Sequence, residues 1–151
     1  MADNRSITDC PIYLITRASL ATVSMLKDHL AAAGAAHIRP AYLGVLMCLW
    51  RQDGQRVVDL GRCAGLEPST MTGLLDRMER DGLLSRAPDP DDRRAQRIQL
   101  TAKGRKAEKA VSRVVDQALS RLFEGAPERD LDRLKETLRR VLGNANRLER
   151  P

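Results

Sequence analysis

The chain has 151 residues, with 26 Lys plus Arg against 20 Asp plus Glu, a formal charge of +6, and only 3% aromatic residues. That length suits one domain able to bury roughly 68–70% of its unfolded surface. A composition 42% hydrophobic and 30% charged excludes both a membrane-spanning and a disordered chain. The basic excess points to a polyanionic partner. Scarce Phe, Tyr and Trp argue against a single-strand binder, whose modules stack bases on aromatic rings, so duplex DNA is the better match. Met1-Ala2-Asp3-Asn4-Arg5 has no long apolar run behind it, so neither a signal peptide nor a membrane span is expected. Cys10, Cys48 and Cys63 are widely spaced and contain no Cys-x-x-Cys pair. That usage fits a reducing cytoplasm and not a disulfide framework.

Along the chain the pattern is helical at both ends and mixed in the middle. Ile12, Ile15, Thr22, Met25, Leu26 and Leu30 recur at helical spacing until Gly34. Pro40 opens a heavily apolar helix carrying Tyr42, Leu43, Val45, Leu46, Leu49 and Trp50, closed by a Gln52-Asp53-Gly54 turn. Val57 to Ala64 predicts a short helix and Gly65 breaks it. Pro68 opens another with Met71, Leu74, Leu75 and Met78, ended by Asp81-Gly82. Leu83 to Arg86 and Gln96 to Leu100 predict two strands around a polar tip, Pro88-Asp89-Pro90-Asp91-Asp92-Arg93-Arg94. A long helix is expected after Thr101 as far as Leu122, and a second after Gly125-Ala126-Pro127. In the second, Leu131, Leu134, Leu138, Val141, Ala145 and Leu148 step by threes and fours, the seam of a helix that packs on another helix. A dimer interleaving the N- and C-terminal helices would bury these stripes, and packing within one chain is the alternative.

Residues 57–82 have helix-turn-helix spacing. Gly61 is small where the second helix approaches, Gly65 supplies the turn, and Leu60, Leu66, Met71, Leu74 and Leu75 can bury the pair. Ser69, Thr70 and Thr72 cluster at the start of the second helix, the part of a recognition helix that reaches base edges in the major groove. Other helical hairpins share this spacing, but the hairpin behind it completes the order of a winged helix. The expected fold is therefore mainly α with a small β-wing, a winged helix-turn-helix with long N- and C-terminal dimerisation helices. Arg93 and Arg94 at the wing tip suit a narrow, electronegative minor groove, and a carboxylate beside an Arg can fix its orientation. A solvated charged turn is the other reading of that tip.

The stretch Leu66-Glu67-Pro68-Ser69-Thr70-Met71-Thr72-Gly73-Leu74-Leu75-Asp76-Arg77-Met78-Glu79-Arg80-Asp81-Gly82-Leu83 resembles the MarR family of winged-helix transcriptional regulators. The resemblance continues through Asp89-Pro90-Asp91-Asp92-Arg93-Arg94-Ala95. The family's Asp-x-Arg wing signature falls on Asp92 and Arg94, and its Leu-Thr-x-x-Gly exit on Leu100, Thr101 and Gly104. It implies one integrated domain: a dimerisation helix over 1–36, a DNA-binding region over 37–100, and dimerisation helices over 101–151. It also implies an obligate homodimer on pseudo-palindromic duplex DNA, with half-sites about 10–10.5 bp apart. Base contact then falls on Ser69, Thr70 and Thr72, base or phosphate contact on Arg77, minor-groove insertion on Arg94 and phosphate contact on Arg93, with Asp92 orienting Arg94. Two positions depart from the family pattern. Gly73 replaces a long polar or basic residue, and Glu67 stands where a Ser is common, which weakens the helix cap and brings a carboxylate towards DNA.

Many such regulators release DNA when a small aromatic or phenolic acid enters the cleft beside the winged helix. Arg17, His37, Tyr42 and Arg86 are the candidate effector residues, with Met25, Leu46 and Met47 as apolar walls; ordinary packing or surface charge is the alternative for each. Other members sense peroxide through a Cys in the first helix, which places a redox candidate at Cys10, close to Tyr13. Cys48, in an apolar stripe, is expected to be an inert buried thiol, and Cys63, beside Arg62, a partly exposed one. His29 and His37 lack companions for a metal set, and no nucleophile–base pair or phosphate loop appears, so neither metal, cofactor nor catalysis is expected. The leading expectation is a cytoplasmic homodimeric repressor of duplex DNA. The alternatives are a peroxide-sensing repressor of the same fold and a winged-helix protein-interaction module without DNA binding. Residues 84–113 hold nine basic and four acidic side chains, whereas 67–82 hold two basic and four acidic. Phosphate attraction is therefore expected from Arg93, Arg94, Arg97, Lys103, Arg105 and Lys106, and the recognition helix must read bases against an acidic background.

Overall fold

A computed structural model describes residues 7–148 and is mainly helical with one small sheet. The chain divides into two compact units, one ending at Ala118 and the other starting at Leu119. The first opens with a 3-10 turn (Ile7–Asp9) and α1 (Pro11–Ala32), whose Pro11 lies at the helix start, where a missing N–H is harmless. A 3-10 turn (Pro40–Tyr42) leads into α2 (Leu43–Arg51). Then come β1 (Gln55–Arg56), α3 (Val57–Ala64), α4 (Pro68–Arg80), β2 (Leu84–Pro88), β3 (Gln96–Leu100) and α5 (Ala102–Lys106). α6 (Glu108–Leu122) carries the chain into the second unit, which α7 (Glu128–Leu148) completes.

The core of the first unit is what the apolar spacing dictates. α2 buries Val45, Leu46 and Leu49, α3 buries Leu60, and α4 buries Met71, Leu74, Leu75 and Met78. Leu83, Leu84, Ile98 and Leu100 cover that cluster from the hairpin. Each such side chain, fully buried, contributes about 1.5–3 kcal/mol of transfer free energy. Gly65 adopts the left-handed conformation (φ 66°) that ends α3 and turns the chain into α4, a region nearly closed to other residues.

The structure differs from the expected elements in four places. Gln55 and Arg56 form a third strand, paired antiparallel with Ile98 and Arg97, in a sheet ordered β1-β3-β2; two residues are too few for any alternation to show. Pro88 belongs to β2 and not to the tip, opposite Gln96. It is tolerated because β2 is an edge strand, where a missing donor breaks no second ladder. The helix after Thr101 breaks at Ala107 into α5 and α6, with the Thr101 hydroxyl capping α5 by accepting the Gly104 N–H at 3.1 Å. Lastly, Cys48 and Cys63 are not separate thiols. They form a disulfide with Cα atoms 6.2 Å apart, because α2 packs on α3 and brings together cysteines that sequence spacing leaves unrelated. Cys10 is free and half-buried.

In the second unit, the end of α6 and α7 form an apolar groove of about 660 Å³, lined by Leu119, Phe123, Leu131, Leu134, Lys135 and Leu138. Leu134, Leu138, Val141 and Leu142 remain well exposed. Of the expected seam, the Leu148 side chain lies outside what the structure describes.

Candidate nucleic-acid interface

α4 has two faces. Met71, Leu74, Leu75 and Met78 point into the core, and Ser69, Thr70, Thr72 and Arg77 are exposed on the other side. The helix starts at Pro68 without a side-chain cap from Glu67, as a glutamate there predicts. Thr72 donates to the Pro68 carbonyl at 3.1 Å, while the Ser69 and Thr70 hydroxyls take no intramolecular hydrogen bond among the described residues. They lie at the positive end of the helix, where anionic or acceptor groups are favoured.

The acidic residues of α4 are engaged, which sequence reading did not show. Arg86 on β2 donates to Asp76 at 2.6 Å and also to Glu79, and its backbone N–H reaches Glu79 at 3.2 Å. These carboxylates raise the Arg86 guanidinium pKa against the opposing effect of its burial. Asp81, just past the helix, accepts from the Tyr42 hydroxyl at 2.7 Å and lies 3.9 Å from Arg39. Lys103 donates to the Asp81 carbonyl at 2.7 Å. Burial and the Asp81 carboxylate together push the Tyr42 phenol up from its ordinary value. Three of the four carboxylates expected behind the recognition helix, Asp76, Glu79 and Asp81, are thus paired with Arg86 or Tyr42, two of the candidate effector residues, and Glu67 stays exposed. Arg17 and His37 are exposed. No hydrogen bond or ion pair joins these four residues among the described ones.

The wing is anchored by a residue the sequence did not single out. Among the described residues Asp89 is the buried charged one, and its carboxylate accepts from Arg56 at 2.7 and 3.1 Å and from Arg97 at 2.8 Å. It also accepts the backbone N–H groups of Asp91 and Asp92 at 2.8 and 3.1 Å, an Asx-type turn that shapes the tip. The Arg56 hydrogen bond, chiefly, holds its carboxyl far below the usual carboxylate range. Arg97, expected as a phosphate contact, is a half-buried strut that also donates to the Gly54 carbonyl at 3.1 Å. Asp92 accepts the Arg94 backbone N–H at 2.9 Å, so it touches the Arg94 main chain. The guanidinium groups of Arg93 and Arg94 are exposed and make no ion pair among the described residues. Arg94, Arg56 and Asp92 line a cleft of about 520 Å³ between the wing and the start of α3.

A depressed carboxyl contributes stability that is complete above the unfolded-state value, near pH 4, and is lost as pH falls through the folded value. Asp89→Asn should therefore lower the urea midpoint clearly at pH 7. The gap to wild type should narrow progressively below about pH 4. An equal gap at both pH values would show that Asp89 acts through shape and not through charge.

A helix-turn-helix whose exposed hydroxyls lie beside a clamped, arginine-tipped hairpin defines a winged helix-turn-helix protein. Residues 39–95 match the model of the MarR family. Over 66 residues the chain is 44% identical to the HTH-type transcriptional regulator TtmR of Methylorubrum extorquens (strain PA1), a match covering 44% of this chain and 33% of that relative. The match thus spans about a third of that curated relative's length. Two solved structures cover nearly all of the fold. A MarR-family transcriptional regulator from Rhodococcus sp. RHA1 is 28% identical with a TM-score of 0.74, over 91% of this chain and 96% of that one. CouR from Rhodococcus jostii RHA1, bound to p-coumaroyl-CoA, is 29% identical with a TM-score of 0.76, over 91% and 95%. Residues 39–95 thus carry a MarR-type domain, and the fold is similar to that of MarR-family transcriptional regulators.

Proposed function

We propose that this protein is a homodimeric repressor that binds a pseudo-palindromic operator in duplex DNA and releases it on binding a small aromatic or phenolic effector. The observation that carries DNA binding is the pairing pattern. On α4 and the wing, the carboxylates Asp76, Glu79 and Asp89 are neutralised by Arg86, Arg56 and Arg97. Ser69, Thr70, Arg77, Arg93 and Arg94 stay exposed and available. In this reading the α4 hydroxyls and Arg77 contact bases in the major groove, Arg94 enters the minor groove, and Arg93 and Lys103 hold phosphates. Arg97 and Asp92 shape the wing from which Arg94 projects. The DNA-binding region is residues 37–100, flanked by dimerisation segments.

Dimerisation is supported by apolar side chains left exposed on one chain: Ile12, Leu14, Ile15, Leu20 and Val23 on α1, and Leu134, Leu138, Val141 and Leu142 on α7. Such stripes are ordinarily covered by a partner. An aromatic effector is supported by CouR, whose structure contains p-coumaroyl-CoA. A cytoplasmic location follows from DNA as the partner, and no helix among the described residues is long and apolar enough to cross a membrane. A gel shift on the DNA upstream of the protein's own gene tests the reading. Binding that weakens steeply between two salt concentrations supports it; no binding at low salt contradicts it and favours a protein-interaction module.

A further inference from the structure

The disulfide is the feature that DNA binding leaves unused. We propose that Cys48 and Cys63 are a reversible dithiol–disulfide pair. Cys63 exchanges with low-molecular-mass disulfides and Cys48 resolves the mixed disulfide, so that the thiol redox state sets how firmly the first helix of the helix-turn-helix is held. The bond ties α2, whose Leu46 and Leu49 are fully buried, to the last turn of α3. Two residues beyond Cys63, Gly65 turns the chain into α4. At its other end α3 follows Arg56, which clamps Asp89 in the wing. α3 is therefore the segment between wing anchor and recognition helix, and the bond fastens it to the core.

The two sulfurs have unlike surroundings, and this assigns their roles. Cys63 is exposed, with Arg51 Nη2 3.8 Å from its Sγ. A neighbouring guanidinium favours the thiolate, the form that attacks disulfides. Cys48 is 8% exposed, out of reach of an incoming molecule but at bonding distance from Cys63. In the forward direction the Cys63 thiolate attacks one sulfur of a small disulfide, whose S–S bond breaks and releases one thiolate. That thiolate takes up a proton. Cys48 then loses its proton and attacks Cys63 Sγ, expelling the second small thiol. Two protein thiols are oxidised, and one small disulfide is reduced to two thiols. Excess thiol drives the same steps backwards. Cys10, free at the start of α1, takes no part.

The test equilibrates the full-length protein in glutathione buffers from fully reduced to fully oxidised, blocks free thiols by alkylation, and maps the peptides without reduction. Cys48 and Cys63 should convert together in one two-thiol transition while Cys10 stays alkylated. A bridge to Cys10, no bridge in oxidised glutathione, or a bridge that excess thiol never opens would overturn the proposal. In the reduced wild-type protein, Cys63 should be alkylated roughly tenfold faster than Cys48 or more. Equal rates would overturn the assigned roles, a readout that needs no variant to fold. Cys48→Ala should trap glutathione on Cys63, and Cys63→Ala should leave Cys48 unmodified; the reverse pattern overturns the assignment. The link to DNA rests on the function proposed above. The oxidised form should bind the upstream DNA about fivefold more tightly than the reduced form or better. Equal affinity overturns the link, whereas no binding by either form overturns the DNA-binding reading and leaves the thiol assignment standing.

Discussion

Gly104→Ala is expected to destabilise the protein by about 3 kcal/mol or more, at the upper end of what overpacking costs. A Cβ at position 104 would lie 2.1 Å from the Leu83 carbonyl oxygen and 3.1 Å from Leu100 Cδ2. The first of these is backbone, with no rotamer to swing away. Relief requires α5 to move off the hairpin, and that movement strains three hydrogen bonds. Leu83 accepts the Thr101 N–H at 3.1 Å, Thr101 accepts the Gly104 N–H at 3.1 Å, and the Trp50 indole donates to the Gly104 carbonyl at 3.0 Å. Thermal unfolding should show a fall on the order of 10 °C. A midpoint unchanged from wild type would mean that α5 is not held against Leu83 as described.

Arg94→Ala should weaken operator binding about tenfold or more, the loss expected when a guanidinium is withdrawn from a narrow minor groove. The side chain is exposed and makes no ion pair among the described residues, and Asp92 holds its main chain through the backbone N–H. Truncation therefore removes a contact to DNA and leaves the wing standing, since the wing is built on Asp89, Arg56 and Arg97. Sedimentation should show the same association state for variant and wild type. A titration of operator DNA should show the affinity loss, and unchanged affinity would remove Arg94 from the interface.

Much of the architecture was legible because it rests on local signals. Apolar spacing placed the helices, Gly65 and Pro68 marked the turn between α3 and α4, and alternation in Gln96 to Leu100 revealed β3. The Leu100-Thr101-x-x-Gly104 motif proved to have a steric basis: Thr101 caps α5, and only a glycine fits against Leu83. What escaped depends on residues distant in the chain. β1 is two residues long and exists through its partner β3. Asp89 draws Arg56 from 33 positions away, and the Cys48–Cys63 bond spans 15. Sequence spacing marks neither pairing. Charge follows the same rule: the carboxylates of α4 stand alone in the sequence, whereas in the fold Arg86 lies between Asp76 and Glu79.

The charge excess of the chain thus becomes a question about which cations remain for DNA. Arg97 and Arg56 are consumed by Asp89, Arg86 by α4, and Arg105 by Asp53. Arg77, Arg80, Arg93, Arg94, Lys106 and the Lys103 ammonium, tethered to the Asp81 carbonyl, are exposed basic groups left around α4 and the wing. The most direct measurement is the affinity for upstream DNA as a function of salt. A plot of log affinity against log salt should be linear and steeply negative, each phosphate contact contributing roughly −0.9 to the slope. Arg93→Ala should flatten it by about 1. A slope near zero, or one that Arg93→Ala and Arg94→Ala leave untouched, would contradict the account that this face holds DNA.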